Sequence, residues 1–275
     1  YYFSGLSAAP NQFRFSGGQT GNGLADMFLG LPSVSISFGG DLQGNSHKTE
    51  FAAYIQDDWK VTPNLTFNYG LRWEWYGRII EESNQQSNWE PGCNCFVVAG
   101  ADASPQLVED DWNNFAPRFG FAYRPLGSDT TVIRGAAGIY YDNQQRHNFF
   151  QIVNSPFGET QIGFGTIDAP FSTGFPNVLP FAIPKDYRDT YAEHWNFGIQ
   201  QEILPETVLD VAYVGNHVVG AQRLRDVNST GDFAGFGPIL MLEQAGSSIF
   251  HSLQVRAERR FSNRLALISS YTWGH

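Results

Sequence analysis

The sequence predicts an all-β protein, an antiparallel up-and-down transmembrane β-barrel with about ten strands and one short helix near residues 24–31. Three observations support this prediction. Long runs of residues alternate between an apolar and a polar face, short turns alternate with long loops, and the composition combines few charges with many aromatic residues. Alternation with a period of two indicates a β-strand, because successive side chains of a strand point to opposite faces.

The composition favours a chain with much apolar surface and few charges. Of the 275 residues, 16% are charged, below the roughly 25% of a typical soluble domain, and 15% are aromatic. The net charge of −10 argues against nucleic-acid binding, which needs clustered Lys and Arg, and against attachment to lipid by a basic patch. No apolar run reaches the roughly 18 residues of a membrane-spanning helix, whereas barrel strands give only a weak hydropathy signal.

The clearest element is a strand–turn–strand segment at residues 51–76, with its turn at Pro63. One face of its second strand is apolar and aromatic, and consists of Leu65, Phe67, Tyr69, Leu71, Trp73 and Trp75. The other face is polar or small, and consists of Thr66, Asn68, Gly70, Arg72 and Glu74. About eleven alternating residues match a tilted strand that spans a bilayer, whereas strands of soluble proteins usually have about five or six.

Further strands are predicted by the same alternation, in chain order. Two short segments at residues 11–17 and 34–38 flank the helix, which Pro32 ends. After residues 51–76, three more strand pairs are predicted, at residues 114–124 with 131–142, 192–203 with 208–220, and 250–261 with 265–273.

The connections between these strands alternate in length. Tight turns are predicted at residues 62–64, 125–129, 204–206 and 262–263, and long loops at residues 78–113, 143–190 and 221–248. Because transmembrane barrels have short periplasmic turns and longer extracellular loops, we expect the tight turns and the helix on the periplasmic side. Trp73 and Trp75 then lie near the outer leaflet, and the outward-facing Asp57, beside Trp59, lies in the periplasmic interface.

Five segments, in this order along the chain, resemble the TonB-dependent outer-membrane receptors, most closely the Oar-like group. They are FRFSGGQTGNGLADMFLGLP, AAYIQDDWKVTPNLTFNYGLRWEW, NNFAPRFGFAYRP with TVIRGAAGIYYD, YAEHWNFGIQQEILPETVLDVAYVGNHVVG, and SLQVRAERRFSNRLALISSYTWG. Together they cover well over half of the chain. The resemblance implies a Gram-negative outer-membrane barrel of about 22 strands with a plugged lumen.

The resemblance also implies the domain organisation and the partners. Residues 1–275 would form one partial barrel domain, about ten strands from the middle of the full barrel, without the plug domain. The expected partners are outer-membrane lipid, an external ligand, and the TonB complex, which acts through the missing plug. No cofactor is expected. The implied function is ligand capture by the outer loops and energy-coupled uptake. Siderophore, sugar-polymer, peptide and export-related roles are all open.

Polar residues on the inner face are the candidates for contact with a plug or a passing substrate. They are Arg72, Glu74, Arg118, Arg134, Asn196, Gln200, Arg256 and Glu258. Because their charges have mixed sign, they also fit a ladder of ion pairs between neighbouring strands. The two interpretations are compatible.

Aromatic residues and a cysteine pair are the candidates in the long loops. The aromatic candidates for ligand contact are Trp89, Phe96, Phe149, Phe150 and Tyr187. Cys93 and Cys95 are expected to form a disulfide, because the outer surface is oxidising. A soft-metal site and two free thiols are the alternatives for this pair.

The sequence contains no recognisable enzyme motif, since G-x-S-x-G, H-E-x-x-H and Walker patterns are absent, and we predict no enzyme. His194, His217 and His251 fall on separate strands and are interpreted as solitary residues. Residues 226–232 resemble the first half of a calcium loop, but Gly237 stands where the bidentate Glu would be, which favours a simple turn.

Two other functions remain open at this point. One is a passive porin or adhesive outer-membrane barrel without energy coupling. The other is a secreted carbohydrate-binding β-sandwich, which also has alternating strands but has turns at both ends without strict parity.

Overall fold

The structure is a computed structural model that describes residues 2–4, 11–40, 45–127, 129–143, 154–172, 180–234, 236–262 and 265–275. Its first strands are β1 (Tyr2–Ser4), β2 (Asn11–Arg14), β3 (Val34–Gly40), β4 (Asn45–His47), β5 (Glu50–Thr62), β6 (Leu65–Tyr76), β7 (Ile80–Glu81), β8 (Ser87–Glu90) and β9 (Cys95–Val98). The later strands are β10 (Asn114–Tyr123), β11 (Thr131–Asp142), β12 (Gly158–Gly163), β13 (Phe181–Ala182), β14 (Thr190–Leu204), β15 (Thr207–Asp226), β16 (Leu240–Ser262) and β17 (Leu265–Gly274). One short helix, α1, spans Gly23–Phe28.

Eight long strands form one antiparallel sheet, which we call the wall. In spatial order they are β5, β6, β10, β11, β14, β15, β16 and β17, so each strand pairs with the next long strand of the chain. The short β13 adds to the sheet by pairing in parallel with β16. This up-and-down order confirms the predicted fold class.

The strand register confirms the two predicted faces of the wall. Across β5 and β6, Trp59 lies opposite Phe67 and Phe51 lies opposite Trp75. Across β6 and β10, Trp73 lies opposite Phe115. These side chains share the outward, apolar face, because residues directly opposite in an antiparallel pair point to the same side.

Asp57 is an exception on the outward face, as the sequence predicted. It lies opposite Tyr69, and the Tyr69 hydroxyl donates a hydrogen bond of 2.9 Å to one Asp57 carboxylate oxygen. The neighbouring phenol therefore supplies a hydrogen-bond partner for a carboxylate that shares a face with apolar side chains.

Two of the ten predicted strands lie outside the wall. β2 and β3 pair with each other, and β3 pairs with β12, which belongs to the second long loop. The expected count of about ten wall strands is therefore too high for the described residues. Alternation specifies which face of a strand is apolar, but it does not specify which strand will be the neighbour.

The helix is shorter than predicted. The Asn22 side chain caps it by accepting from the backbone N–H groups of Leu24 and Ala25, at 2.9 and 3.3 Å. Gly30 has a φ of +67°, and this left-handed residue turns the chain away before Pro32 is reached. No helix in the described part of the chain is long and apolar enough to cross a membrane.

The third long loop is also shorter than predicted, because β15 continues to Asp226 and β16 begins at Leu240. In this extension Arg223 and Arg225 both pair with Glu243, at 3.1 and 2.5 Å. Charged cross-strand pairs continue the ladder where the apolar alternation has ended. The apolar–polar alternation ends before the strands do, so the sequence predicted both strands too short and the loop too long.

The long connections pack together into what we call the loop unit, residues 77–113, 180–189 and 227–242. It has two apolar cores. The first consists of Ile79, Ala99, Leu107, Val108, Ile183, Tyr187 and Leu242. The second consists of Trp89, Ala182, Ile239 and Met241, with Phe96, Val227, Phe233 and Phe236 packed against it.

Candidate functional site

The inner face of β5, β6, β10 and β11 forms an open cavity of about 560 Å³. Its polar and charged lining includes Gln56, Asp58, Asn68, Arg72 and Arg118. The Asn68 amide donates to Asp58 over 2.5 Å, and the Arg118 guanidinium lies 4.5 Å from the centre of the Tyr140 ring. The cavity therefore presents a carboxylate and two cations to whatever occupies the lumen.

A second, smaller cavity lies further along the inner face. Its volume is about 160 Å³, and Arg134, Asn196 and Gln200 line it together with Asp210. Three of the predicted inner-face candidates, which come from two strands, thus share one surface. Asp210 was not among those candidates, although it lies opposite Gln200 in the register.

Among the inner-face candidates, all of which the structure describes, the ion pairs run along strands and not between them. Arg72 pairs with Glu74, and Arg256 pairs with Glu258, each over 2.7 Å. The predicted cross-strand ladder of these residues is therefore wrong. One physical reason is visible at Arg118, which faces Gly70 and Gly138 on its two neighbouring strands and so has no acidic residue opposite.

Arg78 is the centre of a buried network that joins the loop unit to the wall. Its side chain is fully buried, and Nη1 lies 3.0 Å from an Asp189 carboxylate oxygen. Its other nitrogens donate to the backbone carbonyl oxygens of Glu109 and Tyr187, both at 2.8 Å. The second Asp189 oxygen accepts from Asn114, the first residue of β10, at 2.9 Å.

A second carboxylate, that of Asp111, contacts the same segment at residues 188–189. Asp111 is buried, and one of its oxygens accepts from the backbone N–H of Asp189 at 3.0 Å. Its other oxygen lies 3.2 Å from the half-exposed Arg188. Sequence reasoning missed Arg78 and Asp189, since residues in loops show no periodicity and their contacts are far apart in the chain.

Two of the aromatic side chains predicted to contact a ligand, Trp89 and Tyr187, are buried in the loop unit. Trp89 is 1% exposed and Tyr187 is 2% exposed, each within an apolar core. Burial raises the pKa of the Tyr187 phenol above its usual range, so the hydroxyl stays neutral. A buried side chain stabilises the loop unit and offers no surface to a ligand, so the prediction for these two residues is corrected.

The remaining aromatic candidates differ in position. Phe96 is partly buried, with its ring centre 5.8 Å from that of Phe236 in an edge-on arrangement. Phe149 and Phe150 lie outside the described residues. The structure therefore brings Trp89 and Phe96 together around one core and does not place the other two.

Cys93 and Cys95 are joined by a disulfide in the structure, with their Cα atoms 5.2 Å apart. Cys93 lies in the exposed connection between β8 and β9, and Cys95 is the first residue of β9, so the bond closes the tip of that hairpin. Among the described residues, no group of three His, Cys, Asp or Glu side chains could hold a metal ion.

The calcium-like segment is a hydrogen-bonded turn. Asp226 accepts from the backbone N–H groups of Asn228 and Ile239, at 2.8 and 3.0 Å. The Asn228 amide donates to the carbonyl oxygens of Phe233, Phe236 and Gly237. These side-chain groups hold the loop together.

Comparisons with known proteins agree with this architecture. A family model described as an outer membrane beta barrel domain matches residues 2–275. The ferric enterobactin receptor PfeA of Pseudomonas aeruginosa, in a mutant form solved with enterobactin, is similar in fold, with a TM-score of 0.52 and 11% identity over 88% of this chain and 32% of that chain. The FrpB iron transporter of Neisseria meningitidis is also similar, with a TM-score of 0.50 and 13% identity over 84% of this chain and 26% of that chain. No curated protein matches.

The chain belongs to the outer membrane β-barrel domain family. Its fold is similar to part of the barrels of the two solved proteins, and it spans about a quarter to a third of their length. It is located in the outer membrane of a Gram-negative bacterium. The family match over residues 2–275 overturns the β-sandwich alternative.

Proposed function

We propose that this chain supplies part of the wall and the outer loops of a ligand-specific receptor, which takes its ligand up with energy from the TonB complex. The observation that carries the proposal is the loop unit, whose long connections pack around two apolar cores. Its Asp189 pairs with Arg78 and also accepts a hydrogen bond from Asn114 of β10, which ties the loop unit to the wall. Ordering a chain costs roughly 1–2 kcal/mol per residue. A surface ordered in advance avoids this cost when it binds a ligand.

In this proposal the loop unit faces the outside of the cell, and the tight turns and α1 face the periplasm. The ligand first meets exposed parts of the loop unit, such as the disulfide-closed tip at Cys93 and Cys95. It then passes the inner face, where Arg72 and Arg118 line the larger cavity. Arg134, Asn196, Gln200, Arg256 and Glu258 line the wall below, in contact with the passing ligand or with a plug.

Energy coupling needs a plug domain, which we place in the same protein outside residues 1–275. The support is the order of the five segments that resemble TonB-dependent receptors of the Oar-like group, together with the barrel fold. A ferric siderophore is the first ligand class to test, because the two solved proteins named above are described as an iron transporter and a ferric enterobactin receptor.

Two measurements separate this function from a passive barrel. Both use the full-length protein that contains residues 1–275, which we call the full chain. In planar bilayers the full chain should show no steady ion conductance, because a plug fills the lumen. A steady open-pore conductance would instead establish a passive porin. On a resin that carries the periplasmic domain of TonB, the folded full chain should be retained in detergent, and failure to bind would rule out energy coupling through TonB.

A third measurement tests the ligand class. Cells that lack their own siderophore receptors and express the full chain should accumulate radioactive iron from ferric enterobactin or a related catecholate. The matched variants are Arg118→Gln, inside the larger cavity, and Arg124→Gln, in the exposed connection after β10. If uptake falls in Arg118→Gln but not in Arg124→Gln, the ligand passes the larger cavity on its way through the lumen. Equal uptake by the two variants contradicts this route.

A further inference from the structure

Three polar side chains on neighbouring strands form a continuous hydrogen-bonded row on the outward face of the wall. His217 of β15 places Nδ1 at 3.0 Å from a Glu193 carboxylate oxygen on β14. Its other nitrogen, Nε2, lies 3.0 Å from the Ser247 hydroxyl oxygen on β16. The order of contacts is therefore carboxylate, imidazole, hydroxyl.

The strand register explains how the three residues meet. Glu193 lies directly opposite His217. Ser247 lies opposite Val219, one step along the same face of β15 from His217. Residues two apart on one strand share a face, so all three side chains point outward with Tyr213 and Leu253. Neighbouring strands place them within reach although up to 54 positions separate them in the sequence.

This geometry matches that of a nucleophile, its base and the carboxylate that orients the base. A neutral imidazole that donates from Nδ1 to Glu193 has Nε2 free to accept the Ser247 proton. Ser247 is exposed, while the side chains of Glu193 and His217 are partly exposed, at 41% and 31%. The hydroxyl is therefore open to a substrate that approaches from outside the barrel.

The backbone beside Ser247 is irregular in a way that suits a reactive site. The register between β15 and β16 shifts between Val219 and Ala221, next to Ser247 and Gly246. Gly220, within this bulge, has a φ of +72°, and a Cβ on Gly246 would lie 2.7 Å from the Ala221 carbonyl oxygen. A bulge leaves a backbone group outside the ladder, and here the Gly220 carbonyl oxygen accepts from the Thr190 hydroxyl at 2.6 Å. A backbone N–H left free in the same way beside the nucleophile would stabilise an oxyanion.

The position of the row along the strands indicates its substrate. His217 is ten residues beyond the first residue of β15, and Glu193 is eleven residues before the last residue of β14. At about 3.3 Å per residue and a tilt of about 40°, this corresponds to roughly 25–28 Å from the tight turn. The apolar band of an outer-membrane barrel is about 25 Å tall, so the row lies at one boundary between hydrocarbon and headgroups.

Aromatic neighbours support this position. Tyr191, two residues from Glu193 on the same face, has its ring centre 5.6 Å from that of Tyr141. Tyr residues concentrate at membrane interfaces, where one end of the ring is apolar and the other is wet. The acyl ester bonds of a lipid lie at the same boundary between acyl chain and headgroup.

We propose that Ser247, His217 and Glu193 form a lipid-facing esterase site that cleaves acyl ester bonds of membrane lipids. Ser247 Oγ attacks the ester carbonyl carbon while His217 Nε2 takes the hydroxyl proton. The bond from that carbon to the alcohol oxygen breaks, the alcohol leaves with the proton from His217, and the acyl group stays on Ser247. Water then attacks the acyl–serine ester, His217 takes and returns a proton, and the free fatty acid leaves.

In this site Ser247 and His217 are the catalytic residues, and Glu193 is a positioning residue. Its carboxylate holds the Nδ1 proton and the ring orientation, and it stabilises the imidazolium that forms. The site was not visible as a sequence motif, because its members are ordered Glu, His, Ser over three strands and no recognisable local pattern surrounds Ser247.

The first test uses the full chain purified from outer membranes in detergent. A fluorophosphonate probe should attach to Ser247, as located by mass spectrometry of the digested wild-type protein. Mixed micelles of phosphatidylethanolamine should release fatty acid, and Ser247→Ala should lower the rate to that of micelles without protein. The matched control is Ser248→Ala, the next residue on the opposite face, which should keep the wild-type rate.

The second test addresses the positioning role. Glu193→Gln should lower kcat by about 10⁴-fold or to background with KM unchanged, and Glu193→Asp should restore part of the loss. Heat-modifiable mobility on gels checks that every variant still forms a barrel. A wild-type protein that does not label at Ser247, or that releases no more fatty acid than Ser247→Ala, overturns the proposal and leaves the row as a structural hydrogen-bond network.

Discussion

The wall and the loop unit are stabilised in opposite ways. Among the described residues, the buried apolar side chains other than Pro32 and Ala116 belong to the loop unit, which shares Met241 and Leu242 with the start of β16. The wall exposes large apolar side chains instead, including Leu71 at 41%, Phe119 at 48% and Trp273 at 63%. The loop unit therefore has an interior of its own, whereas the wall has a surface that only lipid can cover.

This difference shows that the chain contains one region suited to lipid, the wall, and one region suited to water, the loop unit. The wall satisfies its backbone through a continuous ladder, as the absence of water in a bilayer requires. The loop unit buries apolar cores and a charged pair, as a water-soluble domain does. Each kind of region should therefore respond to its own kind of substitution.

Removal of Arg78 should give the largest effect. Arg78→Ala leaves Asp189 buried without its cation, and loss of one partner of a buried pair costs about 3–5 kcal/mol. Limited proteolysis and hydrogen exchange of the full chain in detergent should show the loop unit opened. The wall should remain folded, as measured by heat-modifiable mobility on gels.

The nearby Lys185 is the matched control for that substitution. It pairs with Glu109 at 3.7 Å, both side chains are exposed, at 70% and 56%, and exposed pairs contribute about 0–1 kcal/mol. Lys185→Ala should therefore leave the protease pattern nearly unchanged. Equal effects of the two substitutions would mean that the Arg78 network does not hold the loop unit to the wall.

Trp89→Ala should be almost as damaging. Its ring packs edge-on against Phe233 with centres 4.7 Å apart, and truncation of a buried Trp costs about 3–5 kcal/mol. Hydrogen exchange should increase across the second apolar core, while Trp89→Phe should lose less. If Trp89→Ala instead lowered ligand binding with the loop unit intact, Trp89 would be a ligand contact after all.

Two adjacent residues of β14 test the wall. Ile199 faces outward and Gln200 faces the inner cavity. Ile199→Arg should cost about 2–4 kcal/mol, because it places a charge against the hydrocarbon. Gln200→Arg should be nearly neutral. Urea unfolding in lipid vesicles measures both, and similar values would contradict the assignment of the two faces.

The smallest effect concerns Asp26, in the first turn of α1. The Thr20 hydroxyl, and then the backbone N–H groups of Gln19 and Thr20, hold the pKa of Asp26 below its usual value. A lowered folded-state pKa contributes stability above the unfolded value of 3.8, and that stability is lost as the pH falls through the folded pKa.

Hydrogen exchange of the turn before α1 measures this contribution. At neutral pH the wild-type turn should be better protected than in Asp26→Asn. From about pH 4 downward the two proteins should converge. A constant difference at all pH values would show that the carboxylate charge is not what stabilises the turn.

The wall could be predicted from the sequence because its signals are local. In β5 and β6 the alternation specifies the faces and the turn at Pro63 specifies the register, so Trp59 and Phe67 meet as expected. The end of β15 was missed because Arg223 and Arg225 carry no apolar alternation. Strand neighbours were also missed for β3, which pairs with β12 instead of the wall.

The loop unit could not be predicted, because its contacts are long-range and aperiodic. Arg78 and Asp189 are 111 residues apart in the chain. Loop aromatics such as Trp89 and Tyr187 look the same in sequence whether they face a ligand or a core. The row of Glu193, His217 and Ser247 was missed for a related reason, since its geometry depends on the registers of two strand pairs.

The orientation of the chain in the membrane is the most direct test of this account. In a Cys93→Ser, Cys95→Ser background, the full chain receives one cysteine, either Gly92→Cys in the loop unit or Pro63→Cys in a tight turn. Intact cells are treated with a membrane-impermeant maleimide. Gly92→Cys should label at once, and Pro63→Cys should label only after the outer membrane is permeabilised. Labelling of Pro63→Cys from outside, with Gly92→Cys protected, would contradict the account.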